Sequence, residues 1–502
     1  MADGSKKTRR SLIKTTGALA GAGAMGSLAG CSGSPDDGDG TDDGTPTDTD
    51  SGGGNDNGGN NDGGGGESVT VEFWSGTAAE NTALTDHFND SMENFESMKD
   101  GDVEVDIQPI PFSEIVSSLN SAVSNDNAPH VAQSGGAGIQ FYLNDAAVDH
   151  GPYIEETDGL PENWADFSNE AAQYRGNWWA GGTEGANNTM LTIRPQIFKD
   201  AGYDDPSELE TWTDFTRALE DIQEQRPNVN PYEESGVWND LESYWGQAQT
   251  SFTDGDDPWL RGDPDDPEVL MGQGGPTDGM IKACIDRANT FSSPNTASRT
   301  DEEMPALMLS NRVGANTTGF GNPQRWRSQD PNVEFGWDGD VWQGPIPRVD
   351  PNYGDEFGYA ELSGVEGQHG GSTSGLQSQY QVMASDMEDT AWELTNYAVN
   401  NEDHIVPIIG EYYGNVATYL PHNDVVQSQY DLVQCQTAMI DVINSYTSQC
   451  RTTGAAWDVS VTDGIRWDSL NVTISEAIAG QHSVDEAPGL ARERALDALS
   501  SA

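Results

Sequence analysis

Lysine and arginine are scarce. The 502 residues hold 23 of them against 84 aspartates and glutamates, a formal charge of −61. Only six of the basic residues are lysines, and three of these, Lys6, Lys7 and Lys14, lie at the N-terminus. That deficit excludes nucleic acid as a natural partner, because phosphate would be repelled at every approach. Cysteine is scarce too, with four in the chain. CxxC, HExxH and histidine-rich clusters are all missing, so neither a metal site nor a cofactor is expected. Long apolar runs are also lacking. The Gly/Ala stretch from Thr15 to Gly30 spans about 16 residues, short of the ~20 that a membrane helix needs.

What is present argues for a packed protein. Fourteen Trp, fifteen Tyr and thirteen Phe set the chain apart from disordered acidic sequences, which are poor in aromatics. The acidity reads as a surface suited to strong brine, where salt screens self-repulsion to roughly 3 Å at 1 M. A halophilic, archaeal source is expected. Roughly 435 residues remain beyond the N-terminal segments, more than one ordinary core accommodates, so two lobes are expected.

Residues 1–31 read as an export signal. Arg9-Arg10 followed by Leu12 and Lys14 resembles a twin-arginine (Tat) signal. Leu28-Ala29-Gly30-Cys31 resembles a lipobox, which makes Cys31 the lipidated first residue of the mature chain. The duller reading, a basic tail and a Gly/Ala linker, leaves the order of the two motifs unexplained. Residues 32–67, nearly all Asp, Gly, Thr, Asn and Ser, form a linker. Its Asp36–Gly40 run lacks the flanking helices and terminal Glu of a calcium loop. Of the other cysteines, Cys435 and Cys450 flank a helical stretch. They can pair only if the chain reverses, because the ends of one helix of that length are ~22 Å apart.

From residue 68 strands and helices alternate. Val69–Trp74, Val103–Ile107 and Ala128–Gln133 read as strands, and Asn81–Phe95 and Phe112–Val123 as helices with apolar residues at helical spacing. This pattern predicts an α/β fold with a parallel, doubly wound sheet. Ligands of such sheets lie beyond the carboxyl ends of the strands, which points to Trp74-Ser75-Gly76 and Gln133-Ser134-Gly135. Farther on, Asn188–Ile193 reads as a strand and residues 253–279 as a surface loop. A helix starting near Trp212 has Thr211 or Thr213 as its N-cap. A single helix is expected over Asn423–Tyr446, and others over 464–479 and 484–499.

Several segments resemble one family in order and spacing. They are the strand ending in Phe73-Trp74, Pro129-His130-Val131, and Ile197-Phe198-Lys199-Asp200-Ala201-Gly202 leading to Thr211-Trp212-Thr213-Asp214-Phe215. Val313-Gly314-Ala315 with Gly319-Phe320, Gly370-Gly371-Ser372, and Gly480 to Ala487 complete the set. They resemble the extracellular solute-binding proteins of ABC importers, in the sugar-binding, maltose-binding-protein-like group. His130 departs from the family's usual Asp. The resemblance covers about residues 68–500. It implies a two-lobed periplasmic-binding-protein-like fold with a hinge and a ligand cleft. Residues 68–187 and 373–415 would form lobe one, and 188–372 and 416–502 lobe two. It also implies a small-molecule solute, in all expectation a carbohydrate, and ABC permease subunits as partners. The receptor would be a monomer held at the outer face of the cell membrane by the lipid on Cys31.

A sugar is held by aromatic plates and hydrogen-bonding side chains. Trp74 stands at a strand end, where it serves either the cleft or the core. The resemblance implies stacking roles for Trp467, thirteen residues before Gly480, and for Phe320. Trp238, Trp245 and Tyr412 are further candidates, with core or rim as the alternative. Gln133, Ser134, Glu184 and Ser372 are candidate polar contacts or turn residues. Trp212 is assigned to packing. Asn187, Asn316 and Asn471 begin glycosylation sequons. Competing readings are a secreted glycoside-acting enzyme, which needs two carboxylates across a cleft, and a surface sensory or interaction protein. No nucleophile elbow, zinc motif or P-loop supports the former.

Overall fold

The computed structural model describes residues 68–80, 82–135, 138–188, 190–237, 259–263, 266–300, 303–318, 323–367, 373–374, 379–413, 416–446 and 464–501. The alternating Val69–Ser75 segment forms β1. It pairs in parallel with β2 (Val103–Pro109) and with β3 (Val131–Gln133), Phe73 lying opposite both Ile107 and Val131. Helix α1 (Thr82–Met98) joins β1 to β2, and α2 (Phe112–Ser124) joins β2 to β3. The consecutive residues Phe73 and Trp74 are both buried, because side chains alternate between the faces and both faces are covered. Phe73 packs with Phe88 and Met92 of α1, and Trp74 with Ile115 and Leu119 of α2.

A ribbon then leads to a second sheet. Strand β4 (Gly185–Asn188) ends two residues before β5 (Met190–Ile193) begins. The sequence reads as one strand here, but the two pieces belong to different sheets. Helix α3 (Pro195–Asp200) follows, then α4 (Trp212–Gln225). Thr211 caps α4: its hydroxyl accepts from the Asp214 amide at 3.1 Å and donates to the Asp214 carboxylate at 2.6 Å. Such a cap satisfies an amide that the helix leaves unpaired. Trp212 is fully buried in the second core with Phe215, Tyr232 and Trp259, as its packing assignment required.

Strand β6 (Asn230–Tyr232) is followed by the hairpin β7 (Leu260–Asp263) and β8 (Asp266–Val269). Residues 253–279 were expected to be a surface loop. Instead Trp259, Leu260, Val269 and Met271 sit in the core, at the open end of the hairpin, where Leu260 pairs with Val269. Four apolar side chains outweigh the Asp- and Pro-rich composition between them. Helix α5 (Pro276–Phe291) leads on, and β9 (Val313–Thr318), α6 (Pro323–Gln329) and β10 (Trp342–Gly344) complete the half. The second sheet has the order β10-β5-β9-β6, with β9 antiparallel to β5 and parallel to β6.

The chain returns through β11 (Thr373–Ser374) to β12 (Tyr380–Val382), which adds antiparallel to β3 and completes a first sheet ordered β12-β3-β1-β2. After α7 (Glu388–Asn400), α8 (Glu402–Pro407) and a π-helical turn over Ile408–Tyr413, it crosses again as β13 (Val416–Ala417). The three crossing segments pair as one small sheet, β11-β4-β13, with β4 in the centre. Two α/β lobes joined by three strands are thus in place.

The single helix expected over Asn423–Tyr446 is two, α9 (Pro421–Gln429) and α10 (Gln434–Tyr446). Tyr430 takes an extended backbone, and its ring lies over Gly410, where a Cβ would collide. Val426 of α9 packs with Ile405 and Val406 of α8. Cys435 on α10 is a buried free thiol whose pKa burial pushes up to about 12; Cys450 lies outside the described residues. A second π-helical turn (Gly464–Asn471) runs into α11 (Val472–Ile478), and α12 (Ala487–Ser501) closes the chain. Among the described residues no helix is long and apolar enough to cross a membrane.

Candidate ligand-binding site

The carboxyl ends of β1 and β3 meet the start of the first crossing strand in a buried polar cluster. Gln133, the last residue of β3, is its centre. Its Oε1 accepts from the Ser75 hydroxyl at 2.7 Å and from the Thr77 amide at 3.0 Å. Its Nε2 donates to both carboxylate oxygens of Glu184, at 2.9 and 2.8 Å, and to Thr77 Oγ1 at 3.1 Å. The Thr77 hydroxyl in turn donates to Glu184 Oε1. All four side chains are buried, Glu184 with 4% of its surface exposed. Burial raises the Glu184 pKa above the ordinary carboxylate value, against the hydrogen bonds from Thr77 and Gln133. Such a network is costly when partly satisfied and rigid when complete.

Beside it, the Ser134 hydroxyl donates to Gln381 Oε1 at 2.6 Å, and Gln381 Nε2 donates to the Trp179 carbonyl at 3.0 Å. Gly138 makes this possible, because a Cβ there would strike both Ser134 Oγ and Gln381 Oε1. Gln133, Ser134 and Glu184, chosen from the sequence as polar contacts, are therefore brought together, and they bond to the protein itself.

The second lobe presents a counterpart. Thr318, the end of β9, lies opposite Met190, the first residue of β5, so this sheet also turns strand ends toward the ribbon. There the Tyr232 hydroxyl bonds Glu234 Oε2 at 3.1 Å and Thr317 Oγ1 at 2.7 Å. Burial and the Glu234 charge raise the Tyr232 pKa. The Arg287 guanidinium lies over the rings of Trp212 and Tyr232, at 4.5 and 4.9 Å, a cation–π arrangement. Tyr232, Glu234 and Arg287 escape the sequence reading because the signal there is thin. Tyr232 and the Glu233-Glu234 pair follow a Pro in a three-residue strand, and Arg287 is one more charge on a helix.

Trp74 is 9% exposed and belongs to the packing between β1 and α2, so the core alternative describes its position. Tyr412 lies apart, on the π-helical turn with its ring 5.3 Å from His87. Trp238, Trp245, Phe320 and Ser372 lie outside the described residues, as do Arg9, Arg10 and Cys31, and the side chains of Trp467 and Asn187. Asn316 and Asn471 are fully buried, and the folded chain does not present either sequon to a glycosylating enzyme. A separate cavity of about 220 Å³ is lined by Arg327, Glu411, Tyr430, Asp431 and Gln436, among others. It shares no residue with either strand-end cluster. Among the described residues no group of three or more His, Cys, Asp or Glu side chains is placed to hold a metal ion.

Two lobes with facing strand ends across a three-stranded crossing agree with what residues 75–404 match, the family of bacterial extracellular solute-binding proteins. The chain belongs to that family. Solved structures with the same fold include the sugar-binding protein MalE of Xanthomonas citri, 17% identical, with a TM-score of 0.64 over 86% of this chain and 98% of that one. A substrate-binding protein of Listeria monocytogenes in complex with cycloalternan is 15% identical, with a TM-score of 0.61 over 86% and 99%. The cyclic α-maltosyl-1,6-maltose binding protein of Arthrobacter globiformis is 16% identical, with a TM-score of 0.61 over 87% and 100%. A comparison with curated proteins returned no match.

Proposed function

We propose that this solute-binding protein is a sugar receptor, lipid-anchored through Cys31 outside the cell membrane, which delivers its solute to an ABC permease. The observation that carries the reading is the pair of strand-end clusters, Gln133–Glu184 in one lobe and Tyr232–Glu234 in the other, turned toward a common ribbon in a member of this family. The sugar class is supported by the names of the related structures, a sugar-binding protein, a complex with cycloalternan and a binder of cyclic α-maltosyl-1,6-maltose. Residues 68–187 with 373–415 are proposed as lobe one, and 188–372 with 416–502 as lobe two. Gln133, Ser134 and Glu184 shape the cleft floor. Trp467, Phe320, Trp238 and Trp245 supply the stacking surfaces, with Ser372 as a polar contact. Arg9-Arg10 direct folded export.

The test is tryptophan fluorescence of the mature chain in roughly molar salt, which compresses the range of its self-repulsion, titrated with a panel of mono- and oligosaccharides. Saturable quenching by one sugar that is recovered unchanged supports the reading. Turnover of a glycoside, or no response to any sugar, overturns it. Export is tested separately: R9K/R10K should abolish surface delivery, and C31S should release the protein into the medium.

A further inference from the structure

Resting on the reading of this chain as a sugar receptor, we propose that Phe112 is the aromatic plate of lobe one and receives the C–H face of a pyranose ring. Trp74, the aromatic residue expected at this edge, is occupied in the core between β1 and α2.

Phe112 opens α2, three residues past the end of β2. The turn that carries it is fixed from both sides. The Ile110 amide donates to the Ser75 carbonyl at 3.0 Å and extends the bonding of β2 to β1. The Pro111 carbonyl accepts from the Glu114 and Ile115 amides, at 2.8 and 3.0 Å, and starts the helix. Phe112 is thereby held at the carboxyl ends of the strands, the edge where open α/β sheets bind their ligands.

The seat of the ring is Gly76. A Cβ added there would lie within 2.6 Å of three consecutive ring carbons of Phe112, Cδ1, Cε1 and Cζ. A point so close to all three lies over the face of the ring, so the ring lies flat on the glycine. The backbone supplies no other reason for glycine, since the φ of Gly76 is −74°, a value open to every residue. Close approach is the reason that remains. Gly76 also stands between Ser75 and Thr77, whose hydroxyl and amide both donate to Gln133 Oε1. The ring therefore borders the polar cluster.

The other face belongs to no core. Phe112 is half-buried and joins none of the apolar clusters among the described residues. The neighbouring polar groups already bond one another, so contact with a solute at this edge falls to the ring. An aromatic face beside fixed polar groups suits a sugar, whose C–H patches stack while its hydroxyls point outward.

The experiment is calorimetry in roughly molar salt with maltose, maltotriose and any other sugar of the panel that quenches the wild type, with melting temperatures measured alongside. F112L keeps apolar bulk without a ring, and it and F112A should each weaken binding about tenfold or more, as loss of an aromatic anchor does. F112Y keeps the ring and should bind like the wild type. G76A should push the ring off its seat and weaken binding as F112A does. The double variant G76A/F112A should be no weaker than F112A, because the same plate is lost only once. Melting temperatures should stay near the wild-type value, since the ring lies outside the cores. F112L with wild-type affinity would make Phe112 a cover for the polar cluster and overturn the proposal; so would losses that add in the double variant. A wild-type chain that binds no sugar overturns the receptor reading and this proposal together, whereas sugar binding that ignores F112L overturns this proposal alone.

Discussion

His404 and His150 are fully buried, and burial lowers their pKa values to about 3 and about 4; His87 adds to the effect on His404 and the bond to the Trp178 carbonyl opposes it on His150. His150 Nε2 accepts from the Val382 amide at 3.0 Å, a bond available only to neutral imidazole. Because both folded values lie below the ordinary 6.5, the unfolded chain binds protons that the folded chain refuses. Stability is complete above about pH 6.5 and falls as the pH drops toward 3–4, by up to about 1.4 kcal/mol per pH unit for each histidine. Urea unfolding at stepped pH and constant salt should show this limb, and H404F should flatten part of it; an unchanged limb would remove His404 as a cause. On the binding side, W467A should weaken sugar affinity by about 1–3 kcal/mol, the range for truncating an aromatic anchor, with an unchanged melting temperature. Equal affinity in calorimetry would place Trp467 outside the cleft.

The Thr211 cap shows how far single elements can be read from sequence. The polar residues at the start of an apolar-periodic run located α4 with Thr211 or Thr213 as its cap, and the structure selects Thr211 and adds the reciprocal bond to Asp214. T211A should cost about 1 kcal/mol, read as a lower urea midpoint with unchanged slope. Strands β1 and β2 were equally legible, because period-two alternation is local information. Three features were not. The break between β4 and β5 depends on which distant strands each piece joins. The end of α9 depends on Tyr430 meeting Gly410. The β7–β8 hairpin is driven by burial of Trp259 and Met271 in a core assembled from remote helices. In the candidate site, Gln133 and Glu184 were legible as strand-end polar residues. That they bond to each other could not be read, since fifty intervening residues fold between them.

At the scale of the molecule, the charge of −61 outweighs any single contact. Among the described residues, pairs such as Arg217–Glu356 and Arg261–Glu268 lie at the surface, and exposed pairs contribute roughly 0–1 kcal/mol each. Net repulsion should therefore dominate the salt response. Thermal unfolding followed from roughly 0.1 M to 3 M KCl should show a steadily rising midpoint, as screening shortens from about 10 Å to below 3 Å. An equally large rise with a neutral osmolyte would show that surface exclusion, not charge, is responsible. The fold class and the two-lobe plan were legible at this scale from length, alternation and family-like spacing, because those signals are spread over the whole chain.

The triple crossing also sets a timetable for synthesis. The first sheet lacks its edge strand until residues 380–382 have left the ribosome, and the ribbon lacks its last member until 416–417. Neither large core comes from one stretch of chain: the first joins residues 71–164 to 380–408, and the second joins 191–362 to 465–495. A nascent chain released at residue 370 should therefore bind hydrophobic dye and be digested by protease, whereas one that includes the C-terminal helices should resist both. On the export route proposed above, which carries folded cargo, nearly the whole message must be translated before anything exists to export.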